Sequence, residues 1–121
     1  HVVVQLSFQG KQGYLGRDAD GWGRLVGRDD ATRLRLRMVD GQNYYGTDDD
    51  WWLSVGTTGT RAGYVSFYWW NNCGHPDWRY DRVTKRLTSS YSSRAGMSIR
   101  DDGYVYCWPS YPAADVELQE V

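Results

Sequence analysis

Apolar and polar residues alternate along this chain with the two-residue period of extended strands, and no stretch sustains the period of an amphipathic helix. Val2 to Phe8 opens the series, with Val2, Val4, Leu6 and Phe8 on one face. After a turn at Gly10 to Gly13 comes the short strand Tyr14-Leu15-Gly16, and Asp18-Ala19-Asp20-Gly21 turns the chain into Arg24-Leu25-Val26-Gly27. The clearest alternation, Arg33 to Val39, predicts Leu34, Leu36 and Met38 facing inward and Arg33, Arg35 and Arg37 facing water. Tyr44-Tyr45, Trp51 to Val55, Trp78-Arg79-Tyr80, Arg86-Leu87-Thr88, Met97-Ser98-Ile99, Tyr104 to Trp108 and Asp115 to Val121 read as further short strands between Gly, Asp, Asn and Ser turns. The run from Tyr64 to Asn72 is the most apolar and carries no charge. Val65, Phe67 and Trp69 share one face of it, which places Trp69 in the core, and Tyr64, Ser66, Tyr68 and Trp70 share the other. With aromatic groups on both faces, one must enter a core and the other must be covered or meet a ligand.

The order of elements repeats. Tyr14-Leu15-Gly16, Trp52-Leu53-Ser54 and Arg86-Leu87-Thr88 each precede a turn and a second strand, and each unit closes on an alternating strand: Leu34 to Met38, Trp78 to Tyr80, Val116 to Leu118. The units fall near 1–41, 42–82 and 83–121, a period of roughly 40 residues, inside the range in which repetition dictates architecture. Three such units of short strands imply one all-β domain over 1–121, a threefold barrel capped by hairpins. This pattern resembles the β-trefoil fold, most closely its fascin-like and plant amaranthin-like versions, in which a "YLG" or "WL" strand, a Gly-containing turn and a second strand recur. A β-sandwich or a crystallin-like Greek key is the competing architecture.

Composition narrows the function. Charged residues balance to a net charge of −1, which argues against nucleic acid or an acidic membrane as the partner, and no apolar run is long enough to span a bilayer. Seven Trp and ten Tyr against two Phe is more amphipathic aromatic surface than a core of this size needs. The chain opens on His1 rather than Met, as in a processed, exported precursor or a trimmed chain, and Cys73 and Cys107 could form one disulfide or remain two buried thiols. A secreted location is the expectation.

The resemblance implies a lectin, and sugar binding has a definite physical signature. A pyranose has an apolar face and a rim of hydroxyls, so it needs an aromatic platform beside acceptors and donors. Asp20 with Trp22, and Asp49 and Asp50 with Trp51, supply that pairing in turns. The second unit is richest, with Trp70, Asn71, Asn72, His75, Asp77, Trp78 and Tyr80, and the third offers Asp101, Asp102, Tyr104, Tyr106, Trp108 and Tyr111. The bland reading of each Asp-rich turn is that Asp and Gly make good turns. The Gln-x-Trp motif of ricin-type trefoil lectins is absent, so their site residues are not carried over.

Other chemistry has little support in the residues. His1 with His75 could brace copper, but nothing else resembles a copper oxygenase, and Asp18-Ala19-Asp20-Gly21 lacks the Glu that would complete a calcium loop. No metal or cofactor is expected. There is no Gly-x-Ser-x-Gly elbow, and Cys73 with His75 is too close a sequence pair for nucleophile and base, so the chain reads as a non-enzymatic binder of glycans or glycoproteins, with avidity from several sites or from self-association. Two alternatives remain: a trefoil protease inhibitor presenting Arg86 or Arg94 around the Ser-rich loop 89–94, and a fascin-like protein-binding module.

Overall fold

The computed structural model describes residues 1–69, 77–90 and 94–121. Among these residues the chain is all-β: β1 (Val2–Phe8), β2 (Lys11–Arg17), β3 (Gly23–Val26), β4 (Arg35–Val39), β5 (Gln42–Gly46), β6 (Trp51–Val55), β7 (Val65–Trp69), β8 (Trp78–Asp81), β9 (Arg86–Ser89), β10 (Met97–Ile99), β11 (Val105–Cys107) and β12 (Asp115–Glu120). Short 3-10 turns at Arg28–Asp30 and Gly59–Arg61 are the only helical elements among them, and no helix is long and apolar enough to cross a membrane. The strand ladders are antiparallel, in open sheets ordered β12-β1-β2-β3 and β4-β5-β6-β7 with the pairs β8-β9 and β10-β11 beside them.

Local chemistry sets several of these hairpins. Gln9-Gly10 joins β1 to β2 and Asp40-Gly41 joins β4 to β5, each with both residues at positive φ. Two-residue turns of that form match the right-handed twist of the flanking strands. Within the hairpins β2–β3, β6–β7 and β10–β11 the register sets Leu15 opposite Leu25, Leu53 opposite Phe67 and Met97 opposite Cys107. Leu15, Leu53, Phe67, Met97 and Cys107 are fully buried, in one core with Val4, Leu6, Leu34, Trp78, Leu87, Val105 and Val116.

Hydrogen bonds of one form tie these hairpins together. The Phe67 amide donates to the Gly21 carbonyl at 2.7 Å, the Cys107 amide to Gly63 at 2.8 Å, and the Leu25 amide to Gly103 at 2.8 Å. Gly21, Gly63 and Gly103 all have φ between +82° and +87°, a left-handed conformation that a side chain would strain. The residue after each glycine brings an aromatic ring to a common point: Trp22 and Tyr64 lie 5.1 Å apart between centroids, Trp22 and Tyr104 5.5 Å, Tyr64 and Tyr104 6.0 Å.

The structure corrects the expected facing of two strands. Leu34 is buried and exchanges two backbone hydrogen bonds of 2.8 Å with Val2, but Leu36 and Met38 are 53% and 67% exposed. Beyond Leu34 the edge strand β4 is exposed at every residue from Arg35 to Met38, so both of its faces meet water. Val65 and Phe67 are buried as their alternation requires, whereas Trp69 is 46% exposed. It ends β7 past the core and leans on Trp51, ring centroids 4.4 Å apart and 34° from parallel. Cys107 is a buried free thiol whose pKa is pushed up by loss of hydration; Cys73, its expected partner, lies outside the described residues.

Candidate functional site

A concavity with both aromatic and ionised groups lies against the hairpin β10–β11. Register places Ser98 opposite Tyr106, and the Ser98 hydroxyl donates to the Tyr106 carbonyl at 3.3 Å. The connecting turn is closed by the Arg100 amide on the Tyr104 carbonyl (2.9 Å), the Gly103 amide on Arg100 (3.0 Å) and the Tyr104 amide on the Asp102 carboxylate (3.2 Å). That turn sets Arg100, Asp101 and Asp102 along one side of a cleft of about 370 Å³. Phe8, from the end of β1, and Ile99 supply apolar wall, and Tyr106, Tyr111 and Pro112 line the rest.

The cleft is aromatic and polar together. Tyr106 packs edge-on to Tyr111 at 5.3 Å and lies 6.4 Å from Trp108. Tyr111 is 49% exposed, and Trp108 is also exposed. Asp101 receives Lys11 at 3.2 Å, and Asp102 lies 3.8 Å from the Arg100 guanidinium. Both ion pairs are exposed, so they are screened and exchange readily with a polar ligand. Such a site can stack on an apolar ring face while offering carboxylate acceptors and guanidinium donors to hydroxyls.

A second aromatic surface is built from two distant turns. Trp51 is half-buried, with Trp69 on one side and the Arg17 guanidinium over its ring at 5.2 Å. Arg17 also reaches Asp49 at 3.4 Å. The Thr47 hydroxyl, against an opposing effect of burial, and then Arg17 hold the Asp49 carboxyl below the usual carboxylate range. Asp50 accepts the Trp52 indole N–H at 2.7 Å, so it braces the turn. Beside this surface the Asp18 carboxylate accepts the Asp20 and Trp22 amides, and the Asp20 carbonyl accepts Arg61, whose guanidinium covers Trp22 at 4.5 Å.

No family model, curated protein or solved structure matches the chain. The site is therefore read from its own groups.

Several residues singled out by sequence fall elsewhere. Trp70, Asn71, Asn72 and His75 lie outside the described residues. Trp78 is a core residue, not a surface platform: it is fully buried and gives its indole N–H to the Leu53 carbonyl at 3.1 Å. Asp77 is also buried and receives both Arg94 contacts at 3.2 Å. Burial by itself would raise the Asp77 carboxyl, but hydrogen bonding with Ser90 and Arg94 and the Arg94 charge outweigh it and hold the group below its usual range. Tyr80 turns inward, its hydroxyl donating to the Val116 carbonyl at 2.6 Å. Asp49, Trp51 and the Asp20-Trp22 turn are brought to one side of the molecule, and Trp108 stands beside the third-hairpin cleft.

The alternative chemistries meet specific obstacles. Arg94 is tied to Asp77, and Arg86 is paired with Asp115, so both arginines suited to a protease pocket are already engaged; residues 91–93 of that loop lie outside the described residues. Among the described residues no group of three or more His, Cys, Asp or Glu side chains is placed to hold a metal ion. His1 reaches Asp48 at 2.9 Å, and Asp48 also takes Arg35 at 3.1 Å. Phe8 of the cleft and Arg17 beside Trp51 carried no signal in the sequence, because their neighbours across the fold are remote along the chain; Ser98, Arg100 and Pro112 lie within 98–112, close to the Asp and Tyr residues already singled out, but their own residue types did not mark them.

Proposed function

We propose that this protein is a β-trefoil that binds carbohydrate without turning it over, with the third-hairpin cleft as its main site. Three features support the fold: apolar pairs at matching positions in three hairpins, each with at least one fully buried member, matching glycine-centred links between them, and aromatic rings meeting where the hairpins converge. The observation that carries the function is the cleft itself, where Tyr106 and Tyr111 line the same 370 Å³ as Asp101, Asp102 and Arg100. A sugar ring placed there stacks on tyrosine and directs its hydroxyls to the carboxylates. The Trp51–Trp69 surface, with Arg17 and Asp49, supplies a second and flatter position. Two positions on one molecule raise avidity for a multivalent glycan without new contacts.

A glycan array read with the parent protein and with Tyr111→Ala, Asp101→Ala and Trp69→Ala variants tests this reading. Tyr111 and Asp101 are exposed, so their loss leaves folding intact, which circular dichroism verifies. Selective binding that disappears in Tyr111→Ala and Asp101→Ala places the main site in the cleft. Loss only in Trp69→Ala moves it to the second surface, and absence of binding to any glycan at high density overturns the carbohydrate reading.

A further inference from the structure

The outer face of the hairpin β8–β9 carries a cluster of arginines that shares no lining residue with the cleft. Register sets Arg79 opposite Thr88 and Asp81 opposite Arg86, while the alternate positions Trp78, Leu87 and Ser89 are buried. Alternation therefore commits Arg79, Asp81, Arg86 and Thr88 to the side away from the core. The following turn adds Arg82 and Thr84, and Arg94 closes one end, so that these groups line a groove of about 820 Å³.

The guanidiniums of this groove are not equally satisfied. Arg86 is neutralised by Asp115 and Arg94 by Asp77. Asp81 turns its carboxylate back onto the Val83 and Thr84 amides, at 2.8 and 3.3 Å. Arg79 and Arg82, both exposed, have no ion-pair partner among the described residues. A guanidinium presents a planar fork that matches an oxyanion through two parallel hydrogen bonds. The Thr84 hydroxyl, the Thr88 oxygen, whose own proton goes to the Arg79 carbonyl at 3.4 Å, and the outer Asp81 oxygen suit hydroxyl groups placed between such anions. Among the described residues the one aromatic lining the groove, Tyr80, is held inward by its bond to Val116, so none of them offers a ring for a nucleic-acid base to stack on.

We infer that this groove binds a sulfated polysaccharide, with Arg79 and Arg82 gripping sulfate esters and the threonines taking the intervening hydroxyls. The site is separate from the third-hairpin cleft and stands or falls independently of it. It also predicts an attraction that the net charge of −1 does not supply.

Heparin is the probe. Binding is measured by fluorescence titration near physiological salt, on the parent, on Arg79→Ala/Arg82→Ala, and on Arg33→Ala as the control. The expected result is heparin binding that weakens about tenfold in the double variant, is unchanged in the control and vanishes with desulfated heparin. Because that variant alters only exposed side chains, an unchanged circular dichroism spectrum and urea midpoint show that it folds; Arg79→Gln/Arg82→Gln repeats the test if the alanine pair does not. The inference is overturned if heparin fails to bind, if Arg33→Ala weakens it as much as the double variant does, if desulfated heparin binds equally, or if single-stranded DNA at equal charge binds as tightly.

Discussion

Replacing Trp78 should damage stability and leave ligand recognition alone. The indole is fully buried among core strands and donates to the Leu53 carbonyl at 3.1 Å. Truncation to alanine removes the largest side chain that is fully buried among the described residues and opens a void, at a cost of about 3–5 kcal/mol. Leaving the Leu53 carbonyl without its donor adds about 1–3 kcal/mol. Against a total of about 5–15 kcal/mol for a domain of this kind, Trp78→Ala should be marginally folded. Trp78→Phe keeps most of the apolar volume and loses the N–H, so about 1–3 kcal/mol is expected. Urea denaturation followed by circular dichroism gives both values, and the glycan array is read on the folded Phe variant. The reasoning fails if Trp78→Ala stays within about 1 kcal/mol of the parent, a cost proper to a surface residue. It fails equally if Trp78→Phe keeps its stability but loses binding.

Two further substitutions probe the links between hairpins. Gly103→Ala should cost about 1–2 kcal/mol from its left-handed backbone alone, since only the flexible Arg24 side chain lies near the added carbon. Gly63→Ala should cost about 1–3 kcal/mol more, because its Cβ would sit 2.5 Å from the Tyr106 ring; equal urea midpoints for the pair would contradict this. The Asp77 carboxyl is held below its ordinary value of 3.8, so the stability from its ionised form is present above that pH and is lost as pH falls through the lower folded-state value. Stability should therefore fall more steeply below about pH 4 in the parent than in Asp77→Asn, and parallel acid-denaturation curves would exclude that role.

Much of this molecule was legible in its sequence. Period-two alternation pointed to the all-β class, set Val4 with Leu6 on one face, and named Leu34 and the face of Val65 and Phe67 as inward, because facing along a strand is a local property of the backbone. The Gly-Asp chemistry of the turns was equally local: Asp18, Asp50, Asp81 and Asp102 each accept from groups two to four residues away. Tertiary structure decided which face of a strand, and how much of it, is covered. It buried Trp78 and exposed Trp69, and it left Leu36 and Met38 in water on the edge strand β4. It also made the cleft, by bringing Phe8 to Ser98 and Tyr111 from separate strands and loops. Alternation says which side chains share a face, but only the packing of remote strands says what, if anything, lies against it.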